Sequence, residues 1–135
     1  MKRKEGWALA LSQYVADQAD VPHEWGGADC CSFSGGGILA MTGENPYTEF
    51  MNDLGHPYTD EATGRAFMER QGGLARILAR LFGRPHKEGT TGDLAYCNFP
   101  DGSAVGLHLG GCAVFRGEEG LVEVDLGKCK FFKVP

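Results

Sequence analysis

The sequence predicts an α+β fold, in which helices from the first 83 residues pack on one face of a small antiparallel β-sheet formed by the C-terminal half. Up to residue 83, apolar residues recur at helical spacing, and each helical segment ends at a glycine or a proline. After residue 92, short apolar runs alternate with turn sequences such as Pro-Asp-Gly at 100–102. Helices that precede the strands, rather than alternate with them, are typical of the α+β class.

Four helices are expected, at residues 3–19, 29–41, 60–71 and 74–82. The second contains three consecutive glycines at 35–37, each of which costs a helix about 1 kcal/mol relative to alanine. A close approach of this helix to the sheet would compensate for that cost.

Five strands are expected, at residues 94–97, 104–109, 112–116, 121–124 and 130–134. The chain has 135 residues, enough for one hydrophobic core, and contains no internal repeat or linker-like segment. We therefore predict a single domain over residues 1–135.

Composition argues against several classes of partner. The net charge is −5 and the 13 basic residues are scattered apart from the opening Lys-Arg-Lys, so nucleic-acid binding is not favoured. No segment approaches the roughly 20 apolar residues of a membrane span. The N-terminus starts like a signal peptide, but its apolar run from Trp7 to Leu11 is short and no convincing cleavage site follows. We expect a soluble protein without a secretion signal.

The five cysteines are an odd number, so disulfides within one chain cannot pair all of them. No Cys-x-x-Cys pair is present, a zinc site lacks support, and no cofactor is expected. We expect mostly reduced, buried thiols. A different interpretation is a metal or iron–sulfur module, although the spacings match no familiar cluster motif. Its ligands would be Cys30, Cys31, Cys97, Cys112 and Cys129.

The most informative segment is the Gly-rich turn that precedes Cys30. It delivers this cysteine to the first turn of the second helix, where the partial positive charge of the helix N-terminus favours the thiolate. Asp29 is a good N-cap residue for that helix. The sequence therefore favours Cys30 as a nucleophile, whereas Cys31 points about 100° away around the helix and is expected in the core.

A thiolate nucleophile needs a proton acceptor, and the chain has four histidines. His23, His56 and His86 lie in predicted loops, whereas His108 lies in a predicted strand with Ala104 and Gly106 on its face. The functional interpretation makes His108 the general base for Cys30. The alternative makes it a partly exposed strand residue near the edge of the sheet.

Several short motifs resemble NlpC-type cell-wall peptidases, which have a papain-like fold. The Trp-Gly-Gly-Ala-Asp-Cys sequence at 25–30 resembles the motif that holds their nucleophile. The Gly-Asp-Leu sequence at 92–94 resembles the entry to their first strand, and Ala-Val-Gly-Leu at 104–107 resembles their His-Val-Gly-Ile strand. With the Thr-Gly helix end at 42–43 and the Gly-Gly break at 72–73, the order is similar to a compact phage-encoded branch found among tail-morphogenesis genes.

This resemblance places the family's nucleophile at Cys30 and its catalytic histidine at Ala104, which cannot act as a base. His108 is on the same strand face, but about 13 Å further along at the usual rise of a strand. The family's third polar residue falls within 114–116, where only Arg116 is polar. The resemblance therefore implies a papain-like NlpC-type fold with an incomplete catalytic apparatus.

Two functions follow from the resemblance. The first is a phage tail-tip or tail assembly protein, made in the host cytoplasm and carried in the virion, whose partners are other tail proteins. The second is an active cysteine endopeptidase that cleaves peptidoglycan stem peptides during genome entry. In the second, Cys30 attacks the amide, and His108 or a loop histidine such as His86 accepts the proton.

Overall fold

The computed structural model describes residues 1–24, 29–48 and 60–135. These ranges contain four helices, followed by a five-stranded antiparallel sheet, which confirms the α+β class. The helices are α1 (Trp7–Gln18), α2 (Cys30–Thr42), α3 (Glu61–Arg70) and α4 (Leu74–Phe82). The strands are β1 (Leu94–Phe99), β2 (Gly102–His108), β3 (Ala113–Arg116), β4 (Leu121–Val124) and β5 (Lys130–Phe132).

The observed bounds lie within a few residues of the expected ones, with one clear exception. Helix α1 begins at Trp7 rather than at residue 3, because Gly6 has φ of 76°, a left-handed conformation that ends helical geometry. The residues before Gly6 bind the rest of the fold instead. The backbone N–H of Lys4 donates to the carbonyl of Met41 at the end of α2.

The sheet has the strand order β4-β3-β2-β1-β5, and its two faces belong to two apolar clusters. Side chains alternate between them along every central strand, as the pleat requires. The first cluster includes Leu94, Val105 and Leu107 and packs against α1, α2 and α4. The second lies on the opposite face and includes Ala95 and Phe115. In the described ranges, no helix has the length and apolar character to cross a membrane.

The three glycines of α2 each face a different neighbour. A Cβ on Gly37 would lie 2.6 Å from the Leu107 side chain, so the predicted close approach of this helix to the sheet is confirmed at Gly37. A Cβ on Gly36 would meet Tyr14 of α1, and one on Gly35 would meet the side chain of Asn45. Because these three positions carry no side chain, β2, α1 and the segment at Asn45 can each pack closely against the α2 backbone.

The sheet opens at one end between β2 and β3. Their ladder consists of two residue pairs, Leu107 with Val114 and His108 with Ala113. The first half of β2 continues to pair with β1, whereas the last half of β3 pairs with β4. This divergence leaves backbone groups of β2 facing an opening, which is the place where α2 begins.

A buried carboxylate joins both ends of the chain to the sheet. Asp93, directly before β1, is 1% exposed. Its oxygens accept hydrogen bonds from Arg3 at 3.2 Å, Lys133 at 3.3 Å and the backbone N–H of Val134 at 3.1 Å. The N–H of Thr90 donates as well, at 2.9 Å. Asp93 therefore stabilises the turn into β1 and also holds both ends of the chain.

Replacement of Asp93 by alanine is expected to lower the free energy of unfolding by about 3 kcal/mol, because it leaves the largely buried Arg3 without its anionic partner. Urea denaturation measures this loss. Asp20→Ala removes an exposed carboxylate and is expected to change stability by less than about 0.5 kcal/mol. Equal effects of the two substitutions would contradict the role assigned to Asp93.

Candidate active site

Helix α2 starts with a capping box, which confirms Asp29 as the N-cap. The Asp29 carboxylate accepts the N–H of Ser32 at 2.8 Å, and the Ser32 hydroxyl accepts the N–H of Asp29 at 2.8 Å. Cys30 is the first residue of the helix. The Gly-rich turn before it, including Trp25, lies outside the described residues.

The sulfur of Cys30 lies against the open end of the sheet. It accepts a hydrogen bond from the backbone N–H of Val105, on the edge of β2 where the pairing with β3 has ended. Because β2 pairs with β1 on its other edge, this N–H is directed toward α2. The opening between the strands and the start of the helix thus together fix the position of the thiol.

The pKa of the Cys30 thiol is lowered. The largest cause is hydrogen bonding with the neighbouring Cys31 side chain, and the N–H of Val105 acts in the same direction. Burial and the negative charge of Asp29 act against them. Cys31 itself lies in the core, as predicted, 4% exposed. The structure therefore adds a role for Cys31, as a partner that favours the Cys30 thiolate.

Cys30 opens into a groove of about 770 Å³ at this end of the sheet. Ala104 and Arg116 line the same groove, so the three positions that the peptidase resemblance assigns to its catalytic residues border one cavity. The groove is also bordered by α3, by the β1–β2 turn and by the β3–β4 turn. Both apolar and charged side chains line it, among them Met68, Phe99, Phe115, Glu61, Arg65 and Glu118.

Ala104 and Arg116 do not supply a proton acceptor. Ala104 presents only a methyl group. Arg116 is 8% exposed, and its guanidinium donates to the carbonyl oxygens of Gln18 at 3.1 Å and Val21 at 2.6 Å and to the Gln18 side chain. These are groups at and just beyond the C-terminus of α1, where a cation is favourable. Arg116 therefore anchors α1 to β3.

The structure does not bring His108 to Cys30. His108 is 5% exposed on the central strand, so the interpretation as a partly exposed residue near the sheet edge is wrong. Its Nδ1 accepts the N–H of Gly110 at 2.9 Å, its ring hydrogen-bonds to the backbone of Gly89, and it packs on Phe131 at 5.1 Å between ring centroids. Burial lowers its pKa, which favours the neutral ring. Pairing of His108 with Cys30 would need a different strand register.

The remaining histidines differ in their distance from the groove. His86 forms a bridge with Phe131, next to the outer edge of β5 and away from the opening between β2 and β3. His23 lines the groove itself, and its backbone N–H donates to Glu118 at 3.3 Å. His56 lies outside the described residues. His23 is thus the described histidine that shares a cavity with Cys30, which the sequence alone did not indicate.

The five cysteines occupy three separate places. Cys30 and Cys31 begin α2, Cys97 and Cys129 lie together on the second face of the sheet, and Cys112 lies directly before β3, near Glu123. This separation is incompatible with one metal or iron–sulfur cluster held by all five. Within residues 1–24, 29–48 and 60–135, no group of three or more His, Cys, Asp or Glu side chains is arranged to hold a metal ion.

Comparison with known proteins identifies a family. A family model described as a domain of unknown function, DUF6950, matches residues 2–134. The chain belongs to the DUF6950 family. Comparison with the curated proteins gives no match. The family match covers nearly the whole chain and therefore includes the groove, α2 and both strands that border the opening.

We expect the alkylation rate of Cys30 to rise with pH around a midpoint below the ordinary thiol pKa of about 8.5, since the folded protein favours the thiolate. Cys31→Ala removes the hydrogen bond that contributes most to the lowered pKa of Cys30, and it is expected to raise this midpoint. Cys112→Ala is the matched control and leaves it unchanged. Iodoacetamide labelling followed by site-resolved mass spectrometry measures the midpoint, and equal midpoints in wild type and Cys31→Ala would contradict the assignment.

Proposed function

We propose that this protein is a phage tail-tip or tail assembly protein with a papain-like NlpC-type fold that no longer hydrolyses peptides efficiently. One observation supports the proposed loss of activity. Cys30, Ala104 and Arg116 line one groove, in the places where the resemblance expects a nucleophile, a histidine and a polar orienting residue. Cys30 supplies a thiol whose pKa is lowered. In contrast, Ala104 supplies only a methyl group, and the guanidinium of Arg116 is bound to the end of α1.

The chemistry of amide cleavage explains why this combination is inefficient. A thiolate can attack the carbonyl, but the leaving amine must then receive a proton, and a histidine normally delivers it. Ala104 has no titratable group. Burial lowers the pKa of Arg116, but an arginine side chain stays protonated at neutral pH, and the guanidinium is occupied in donating to the carbonyls of Gln18 and Val21. Arg116 therefore cannot cycle a proton between the two steps. The acyl-enzyme step therefore lacks its general acid.

The groove supports a role in protein contacts. Its apolar side chains, including Met68 and Phe99, are flanked by charged ones of both signs, including Glu61 and Arg65. A core of apolar and aromatic groups within a polar rim is typical of protein–protein interfaces. The assignment to a phage tail rests on the resemblance to the phage-encoded branch, and the partners are other tail proteins.

The second candidate is an active cysteine endopeptidase acting on peptidoglycan stem peptides. The lowered pKa of Cys30 favours it, because an activated thiolate is the first requirement of that chemistry. In this case His23 is the described imidazole with access to the groove. This candidate makes catalysis depend on both Cys30 and His23.

A hydrolysis assay separates the two candidates. We expect purified wild-type protein to leave cross-linked muropeptides intact over hours, as judged by chromatography and mass spectrometry. Ala104→His places an imidazole in the groove with Cys30 and is expected to produce cleavage at least about tenfold above background, a modest part of the usual contribution of general acid–base catalysis.

The double substitution Ala104→His with Cys30→Ala is the control and should abolish that cleavage. Hydrolysis by the wild type that disappears in both Cys30→Ala and His23→Ala would overturn the proposed loss of activity and establish the endopeptidase instead.

An assembly assay tests the structural role directly. In a phage that encodes this chain, deletion of its gene is expected to block tail formation, and Cys30→Ser is expected to restore normal tails seen by electron microscopy. Arg65→Glu with Glu61→Arg exchanges the charges on the rim of the groove while preserving the pair at positions i and i+4. This exchange is expected to reduce the number of complete tails. Failure of Cys30→Ser to support assembly would contradict a role independent of the thiol.

A further inference from the structure

Cys97 and Cys129 lie directly opposite each other on neighbouring strands. The β1–β5 ladder pairs Leu94 with Phe132 and Tyr96 with Lys130, and the next pair in the same register is Cys97 with Cys129. Cys129 precedes β5 in an extended conformation, with φ of −113° and ψ of 158°, so the register continues through it. Opposed residues of antiparallel strands have Cα atoms about 4.5–5.5 Å apart, within the range that a disulfide spans.

Both side chains point to the same face of the sheet. Each belongs to the second apolar cluster, and the residues are 5% and 7% exposed. The Cys129 thiol hydrogen-bonds to the Cys97 sulfur, and the Cys97 sulfur also lies 3.4 Å from the carbonyl oxygen of Lys128. The two sulfur atoms are therefore already in contact while reduced.

The pair lies just below the surface. The segment that covers it is the short 3-10 turn Leu126–Lys128, in which Gly127 and Lys128 are exposed. The remaining described cysteine positions offer no comparable geometry across strands, because Cys30 and Cys31 are consecutive in one helix and Cys112 precedes β3 and packs against the first apolar cluster.

We propose that Cys97 and Cys129 form an intramolecular disulfide when the protein meets an oxidising thiol–disulfide environment. A small-molecule disulfide such as oxidised glutathione is the oxidant. The Cys97 thiolate attacks one sulfur of that disulfide and releases one glutathione thiolate. Cys129 then loses its proton and attacks the Cys97 sulfur, which releases the second glutathione. Two protein thiols are oxidised, one disulfide is reduced to two thiols, and both protons pass to solvent or to the released thiolates.

The bond would close a loop of about 33 residues, from position 97 to position 129, and fasten the start of the three-residue strand β5 to β1. Strand β5 carries Phe131 and Phe132, which contribute to both apolar clusters. Oxidation is thus expected to stabilise the C-terminal part of the fold by restricting the unfolded chain.

The test uses the folded full-length chain in glutathione buffers that range from fully reduced to fully oxidised. Oxidised wild-type protein is expected to lose two hydrogens, about 2 Da, and to yield tryptic fragment 129–130 linked to fragment 88–116. Fragment 88–116 also contains Cys112, so Cys112→Ser is the matched control and should give the same linked product. Cys97→Ser and Cys129→Ser should each lack it.

Thermal unfolding provides a second measurement. Oxidation is expected to raise the Tm of wild type and Cys112→Ser by about 5–10 °C and to leave that of Cys97→Ser unchanged. Circular dichroism of the reduced variants checks that each is folded. Free thiols at both positions after prolonged exposure to oxidised glutathione, stable glutathione adducts without the internal link, or a link between Cys112 and Cys129 would each overturn the proposal.

Discussion

The fold depends on the almost fully buried carboxylate of Asp93. Burial of a charged group is costly unless partners satisfy it, and Asp93 obtains those partners from Arg3, Lys133 and the backbone at Thr90 and Val134. Its own carbonyl accepts the N–H of His108, so the same residue also fixes where β2 lies beside β1. Once that register is set, the position of Val105 on the free edge of β2 is set too, and the site at Cys30 follows from it.

The groove combines two features that enzymes normally use together and that this chain separates. One is the activation of a thiol by a helix start, a neighbouring thiol and a strand N–H. The other is a residue that moves protons, for which the corresponding positions hold Ala104 and Arg116. Under the proposed function, the groove keeps an activated thiol without a proton-transfer partner, and its shape is what matters for its role. The tightly packed α2 glycines and the capped helix start maintain that shape whether or not peptides are cleaved.

Local signals predicted much of this fold. The capping residue Asp29 and the glycines that follow α2 and α3 marked helix ends, and short apolar runs between turn sequences marked the strands, because each of these signals depends on neighbours in sequence. The late start of α1 was not predicted, since the left-handed conformation of Gly6 carries no pattern of its own. The partners of Asp93 were also missed, because they lie far away in sequence.

The candidate site was predicted less completely than the fold. The sequence predicts Cys30 from its position in the first turn of a helix, but its contact with Val105 depends on the divergence of β2 and β3, which no local sequence pattern shows. His108 was assigned from its strand face alone, and the burial of that face under Phe131 was not visible in the sequence. The access of His23 to the groove likewise requires the three-dimensional path of the chain after α1.

Arg116 has a consequence for how this family can change over evolutionary time. Its guanidinium holds the carbonyl oxygens at the end of α1, so a mutation that placed a histidine there would disconnect a helix before it improved any chemistry. Under the proposed function, efficient hydrolysis would need a histidine at position 104, and an orienting residue at position 116 would need another anchor for α1. A mutation of Arg116 alone would therefore destabilise the fold before it could contribute to catalysis. We expect relatives to vary more at the charged residues of the groove than at Arg116.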